Sequence, residues 1–374
     1  MLESMIKTSI ESNQGMISFQ SFMEKALYAS GLGYYESSRV FGAQGDFITA
    51  SDMGFWLARA LSDYLAWSWQ QLGQPQAWSV LEQGGGKGQL LCQVQQMLAQ
   101  KEVIQPEYIA VERSQYLRQE QISLYQAHGL TVQQFAALED VPKQACCVVF
   151  CNELLDAFPA ASFQYQDGQF YEMGVSSSQD KLHWQRASEP LKAKPEIDEN
   201  YIAAWPDTYQ SEWNPSMKPW LKQLSDVFQQ GFILCIDYGY TQAEYYRPQR
   251  QQGTLLAHYK HQTNEDFFQH IGQQDLTTHL DFSALSRYAQ QQDLSVISFL
   301  SQSAWLAQSP SVQVRVGEIV NATTENEIQE KAHLQRLVHP FQMGEVFKVC
   351  VLAKNNDAET PEYLQQFQAI GKLA

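Results

Sequence analysis

Two rhythms of apolar and polar positions share the chain. Short apolar runs at 78–82, 108–112, 130–134, 146–151, 231–237, 295–300 and 345–353 read as strands. Between them, apolar residues at helical spacing mark helices at 88–100, 114–127, 216–230 and 281–292. This alternation predicts an α/β fold: a mostly parallel sheet with helices on both faces. Residues 1–30 also read as helical, with Phe19, Phe22, Met23, Ala26 and Leu27 on one face, and pack on the main body. A longer helix follows, with a stripe of Phe55, Ala58, Leu61, Leu65 and Trp69; Ser51 or Asp52 is its candidate cap, and Gly73 and Pro75 end it. The stretch 168–215 breaks the rhythm with Pro190, Pro195, Pro206 and Pro215 and with Trp184, Trp205 and Trp213. It reads as an insertion with some β-hairpin content, in which Ser162–Gln166 pairs with Gln169–Gly174 around Asp167-Gly168. A second insertion, 239–280, is rich in Tyr, His and Gln. The expected division is a helical and loop segment at 1–75 and an α/β domain at 76–374 that carries both insertions.

The densest signal is Trp78–Leu91, where a strand runs into a glycine cluster and then a helix with Leu90, Leu91, Val94, Met97 and Leu98 on its apolar face. Glycine tolerates positive φ and lets a ligand approach the backbone, and a helix start adds N–H donors and a positive dipole end. A nucleotide-like ligand follows. The dinucleotide fingerprint wants G-x-G-x-x-G, but Gly84, Gly86 and Gly88 are spaced G-x-G-x-G, with Glu82 two residues ahead. E-x-G-x-G-x-G resembles the first motif of class I S-adenosylmethionine (SAM) methyltransferases. The strand candidate Tyr108–Glu112 ends in a carboxylate suited to a pair of ribose hydroxyls. A dinucleotide site, or a glycine turn with no ligand, are the alternatives.

Composition narrows the picture. The chain has 374 residues, 44% hydrophobic and 18% charged, enough for a large core and unlike a disordered chain. Net charge is −16, which argues against an extended nucleic-acid surface. Histidines are scattered without metal-ligand spacing, so no metal is expected. The six cysteines include no C-x-x-C pair; Cys146, Cys147, Cys151, Cys235 and Cys350 lie in apolar runs and fit buried thiols of a reducing compartment. The first residues lack an apolar targeting core and no run reaches membrane-spanning length, giving the expectation of a cytoplasmic protein without membrane insertion.

The motifs, taken in order, resemble the MidA-type SAM-dependent methyltransferases, whose mitochondrial members assist assembly of respiratory complex I. The resemblance runs through Gly33-Tyr34-Tyr35, Gly45–Thr49, Glu82–Gly88, Val111–Ser114 with Leu117-Arg118 and Gln121, Asn152–Pro159, Ile236–Tyr240, Gly253-Thr254-Leu255, His261, Gly272–Phe282 and Met343–Val349. Lys87 stands where the family usually has Arg, and Ser51-Asp52 where it has Pro-Glu. The resemblance implies a seven-stranded class I methyltransferase fold whose last strand is antiparallel, SAM as cofactor, and methylation of a protein arginine. The acceptor it suggests is a respiratory complex subunit. A homodimer is a further expectation.

Methyl transfer from SAM is an in-line displacement, so positioning is the main demand. Glu82, Gly84, Gly86, Gly88 and Glu112 are the candidate cofactor residues, with Asn152 on the next strand end, and with Gly45, Asp46 and Thr49 as candidates for closing the site. A protonated guanidinium needs carboxylates that orient it and localise its lone pair. Glu153 is the first candidate and Asp156 the second; a solvated strand end and a helix cap are their alternatives. His279, in the polar run Asp275–Asp281, is a candidate proton acceptor or a structural histidine. A methyltransferase-fold assembly factor acting by contact, a small-molecule methyltransferase and a nicotinamide oxidoreductase are the competing functions.

Overall fold

The computed structural model describes residues 1–36, 53–260 and 262–373. The chain forms two compact units. One comprises Met1–Phe47, Leu155–Pro219 and Tyr240–Ala284, and is called the insertion unit below. The other, the sheet unit, comprises Ile48–Leu154, Trp220–Gly239 and Leu285–Ala374. These boundaries differ from the sequence division. The first 47 residues group with both insertions, because Ile17 and Ser18 pair with Val175 and Gly174, a contact that no local pattern encodes.

The sheet unit is built on β1 (Ser79–Gln83), β2 (Glu107–Val111), β3 (Val132–Phe135), β4 (Gln144–Asn152), β5 (Phe228–Tyr240), β6 (Leu294–Ser301) and β7 (Phe347–Lys354). Their spatial order is β3-β2-β1-β4-β5-β7-β6. The first five are parallel, and β7 lies between β5 and β6, antiparallel to both. Such a sheet is buried on both faces, which explains continuous apolar runs such as Cys147–Cys151 and Phe232–Ile236. The antiparallel strand is the one nearest the chain end, as the resemblance implies.

Helix α1 (Trp56–Gln71) is buried nearly all round: Trp56, Leu57, Leu61, Tyr64 and Leu65 are all inaccessible. Burying each such side chain contributes roughly 1.5–3 kcal/mol. The other helices of the sheet unit include α2 (Gln89–Leu98), α3 (Gln115–Ala127), and three that follow β6: α4 (Gln302–Gln308), α5 (Pro310–Glu318) and α6 (Glu325–Val338). Of these, α2, α4 and α5 pack directly against α1. Asp63 of α1 is a buried fixing point. Its carboxylate accepts from Lys101 Nζ at 2.6 Å, Ser309 Oγ at 2.5 Å, and the N–H and Oγ of Ser311 at 2.8 and 2.6 Å. The helices at 302–338 had no counterpart among the expected elements.

Among the described residues the insertion unit has two small sheets. Strand Gln169–Ser178 pairs with Ala161–Gln166, Lys181–Pro190 and Ile17–Ser18, and Thr208–Trp213 adds to the outer side of Ala161–Gln166. The expected hairpin is present: Gln166 faces Gln169, and Asp167 and Gly168 have φ of 52° and 75°, the two positive values a tight hairpin turn requires. The helices Leu2–Ser12 and Phe19–Tyr28 bury Phe19, Phe22, Met23, Ala26 and Leu27, the face read from the sequence.

Candidate functional site

In the sheet unit the carboxyl ends of β1, β2, β4 and β5 each carry or lead into an acid: Glu82, Glu112, Glu153 and Asp237. In a parallel α/β sheet this is the edge where ligands bind. Beyond β1 the Gly84 N–H donates to Val111 O at 2.9 Å, and the Gly88 N–H donates to Gly85 O at 2.8 Å, closing the turn. Gly84, Gly86 and Gly88 have φ of 71°, 53° and 84°. Gly88 is the N-cap of α2 and brings no capping side chain.

Glu82 lies beneath this turn and is 3% exposed. A Cβ on Gly85 would stand 2.3 Å from Glu82 Oε2, so the carboxylate packs directly on the glycine backbone. That oxygen is buried and has no hydrogen-bond partner among the described residues. Burial, and then the charge of Glu112, push the Glu82 pKa up to about 8. The folded protein therefore holds a proton on Glu82 that the unfolded chain releases near pH 4.5. Stability contributed by that proton is present below pH 4.5 and falls as pH rises toward 8, by at most about 1.4 kcal/mol per pH unit. We expect Glu82→Gln to remove this part of the slope, read as the difference between variant and wild type in urea unfolding at pH 5, 6.5 and 8. Equal slopes would show that Glu82 is already ionised.

Glu112 follows β2, is 7% exposed, and accepts the Ser114 N–H on Oε1 at 2.9 Å. Ser114 also caps α3 through the Leu117 N–H. Seven residues further along α3, Gln121 donates from Nε2 to Gly86 O at 2.8 Å and is itself held by Gln134 Nε2 at 2.8 Å. The sequence resemblance includes Gln121 but gives it no role at the turn. The available signal was its spacing of two helical turns from the capping serine.

At the end of β4, Asn152 Nδ2 donates to Glu153 Oε1 at 3.0 Å, and Asn152 Oδ1 is buried without a hydrogen-bond partner among the described residues. Glu153 has φ +52°, and its N–H donates to Ile236 O at 2.9 Å. A left-handed glutamate costs of order 1 kcal/mol, a strain that recurs at functional positions. Asp237 is 1% exposed, and its Oδ1 accepts the Tyr238 N–H.

Asp156, Asp275, His279 and Asp281 belong to the insertion unit. Asp156 is 5% exposed and its carbonyl accepts the Thr278 N–H at 3.0 Å. The helix-cap alternative for Asp156 is corrected: a turn and then the strand Ala161–Gln166 follow it, with no helix to cap. Asp281 does cap a helix, accepting the Ala284 N–H at 3.0 Å. Asp275 accepts the Tyr35 hydroxyl at 2.9 Å. The His279 ring stacks on Tyr240 at 5.0 Å, and the Arg250 guanidinium sits 4.0 Å from the same Tyr240 ring. Burial, then the Arg250 charge, push the His279 pKa down to about 4, so its imidazole is neutral at physiological pH. Gly45, Asp46 and Thr49, like Ser51, Asp52 and His261, lie outside the described residues.

The sheet edge thus combines a glycine turn, a buried carboxylate oxygen lacking a partner among the described residues, and further acids. It suits a ligand with a positive charge and vicinal hydroxyls. Comparisons with known proteins agree. Residues 60–300 match a family model for S-adenosyl-L-methionine-dependent methyltransferases. A crystal structure of a superfamily member from Burkholderia thailandensis, bound to S-adenosyl-homocysteine, is 28% identical with a TM-score of 0.89, covering 99% of this chain and 96% of that one. Among curated relatives, the mitochondrial protein arginine methyltransferase NDUFAF7 of Homo sapiens is 24% identical over 93% of this chain and 82% of its own length. Its Caenorhabditis elegans homolog is 25% identical over 73% and 68%. These relatives are mitochondrial by name, which overturns the expectation of a cytoplasmic location.

Proposed function

Because the chain belongs to the MidA-type family of SAM-dependent methyltransferases, we propose that it methylates an arginine side chain of a protein. The observation that carries the cofactor half of this reading is Glu82 Oε2, buried under the glycine turn without a hydrogen-bond partner among the described residues. The residues fit the cofactor: Glu82 would hold its cationic methionine end, Glu112 its ribose hydroxyls and Asn152 its adenine, with the turn 84–88 offering its backbone. When bound, SAM supplies an activated methyl group. The names of the curated relatives support arginine as the acceptor, and a respiratory complex subunit is the acceptor protein the resemblance suggests.

Glu153 is the carboxylate assigned to the guanidinium. Ionised, it pairs with two N–H groups, holds the guanidinium plane, and draws positive charge away from the nitrogen that must attack. Its left-handed backbone and its Asn152 hydrogen bond hold its direction. Asp156 is the second carboxylate of the reading. His279, neutral at working pH, is the candidate acceptor of the proton lost after transfer.

Recovery of labelled methylarginine from protein after incubation with labelled SAM tests the reading. A scaffold that acts only by contact would bind SAM weakly and label nothing. Retention of Glu82, all three motif glycines and Glu112 favours the enzyme.

A further inference from the structure

Glu212, on the strand Thr208–Trp213 of the insertion unit, is fully buried, yet its hydrogen-bond donors are all neutral. Its Oε1 accepts from the Tyr245 hydroxyl at 2.7 Å, the Thr254 N–H at 2.8 Å and the Thr254 hydroxyl at 2.6 Å. Its Oε2 is buried with no hydrogen-bond partner among the described residues. Burying a carboxyl group in this way is costly, and an apolar side chain would fill the same space more cheaply. The neighbouring backbone is fitted to it: Gly253 has φ +74°, and a Cβ there would stand 1.9 Å from Glu212 Oε2.

Donor and acceptor accounting shows what the carboxyl group does. A threonine hydroxyl has one proton. That proton is donated in a hydrogen bond to Glu212 at 2.6 Å, so the Thr254 oxygen is left to accept, and it accepts the backbone N–H of His279 at 2.9 Å. One residue earlier, the Thr278 N–H donates to the carbonyl of Asp156 at 3.0 Å. The segment Thr278–His279 is therefore tied on one side to Thr254 and on the other to Asp156, and the direction of the Thr254 hydroxyl is dictated by Glu212.

We propose that Glu212 and Thr254 are positioning residues for methyl transfer, holding His279 and Asp156 in the geometry the acceptor requires. The proposal rests on the reading of Asp156 and His279 as acceptor-side residues. Neither Glu212 nor Thr254 touches reacting atoms in this account. They act through the backbone of the residues they hold.

The test compares Thr254→Val with Thr254→Ser, and Glu212→Ala with Glu212→Gln, in the full chain. Three quantities are measured: initial rate of labelled-methyl transfer from SAM to protein of a cell extract, calorimetric affinity for S-adenosyl-homocysteine, and protonation of the His279 ring by NMR, assigned with His279→Gln. Thr254→Val is expected to lower the transfer rate about tenfold or more, since small misplacements carry such costs, with affinity for S-adenosyl-homocysteine unchanged. Its His279 ring gains water and becomes partly protonated at pH 6, where the wild-type ring is neutral. Serine, which keeps the hydroxyl, recovers most of both losses. Glutamine at 212 likewise recovers most of what alanine loses. A Thr254→Val enzyme with wild-type transfer and a wild-type His279 ring would overturn the proposal, as would equal losses in the valine and serine variants. Should the wild type label no protein, the acceptor reading falls. The His279 ring still decides whether Glu212 and Thr254 position it.

Discussion

Gly86→Val is expected to weaken binding of SAM and S-adenosyl-homocysteine by about 100-fold or more, equivalent to about 2.7 kcal/mol. Gly86 has φ +53°, and its carbonyl is fixed by Gln121 Nε2 at 2.8 Å. A β-branched residue in the left-handed region is strained by roughly 1–2 kcal/mol. Relieving that strain means turning the peptide and giving up the Gln121 bond. Either way the isopropyl group would stand on the turn proposed to take the cofactor. The apo protein is expected to remain folded, because the strain is local and the core of β1, β2 and α1 is untouched. Calorimetry with S-adenosyl-homocysteine checks the affinity, and a thermal melt checks the fold. Undiminished affinity in a folded Gly86→Val protein would remove the glycine turn from the cofactor site.

Glu153→Gln is the second large effect, and it separates chemistry from binding. Glutamine keeps the volume of the side chain and an oxygen that can accept the Asn152 Nδ2 hydrogen bond now made to Glu153 Oε1. What it loses is the negative charge proposed to orient a guanidinium and draw positive charge from its attacking nitrogen. Methyl transfer is expected to fall by about 10²–10³-fold, the cost of losing one electrostatic partner of a reacting group. Affinity for S-adenosyl-homocysteine should stay within a factor of about two, since an interaction made only with the reacting acceptor leaves cofactor binding alone. Transfer at the wild-type rate would eliminate Glu153 as the guanidinium carboxylate.

Local chemistry was legible in the sequence where one residue type is required at one place. The glycine spacing after β1, the acid following β2 and the Asp167-Gly168 turn each follow from the backbone conformation or contact they serve. Strands of the parallel sheet were legible because burial on both faces demands continuous apolar runs. The helices at 302–338 were less visible. In α6 only Leu337 is buried, so its apolar periodicity is faint. Its start did carry a signal in Thr324 and Glu327, a capping box whose threonine oxygen accepts the Glu327 N–H. The grouping of residues 1–47 with the insertions was beyond local reading, since it depends on pairings such as Ile17 with Val175. The same holds for Gln121 and Glu212. Their side chains act on Gly86 and Thr254, residues distant in the chain, and only the fold brings each pair together.

The most direct test of the central claim is the chemical identity of the product. Purified protein is incubated with methyl-labelled SAM and an extract of cells that lack it; the protein fraction is then hydrolysed and its amino acids separated. The account predicts label in methylarginine, dependent on the enzyme and lost in Glu153→Gln. Label in another amino acid or confined to small molecules, or no label beside normal S-adenosyl-homocysteine binding, would contradict it.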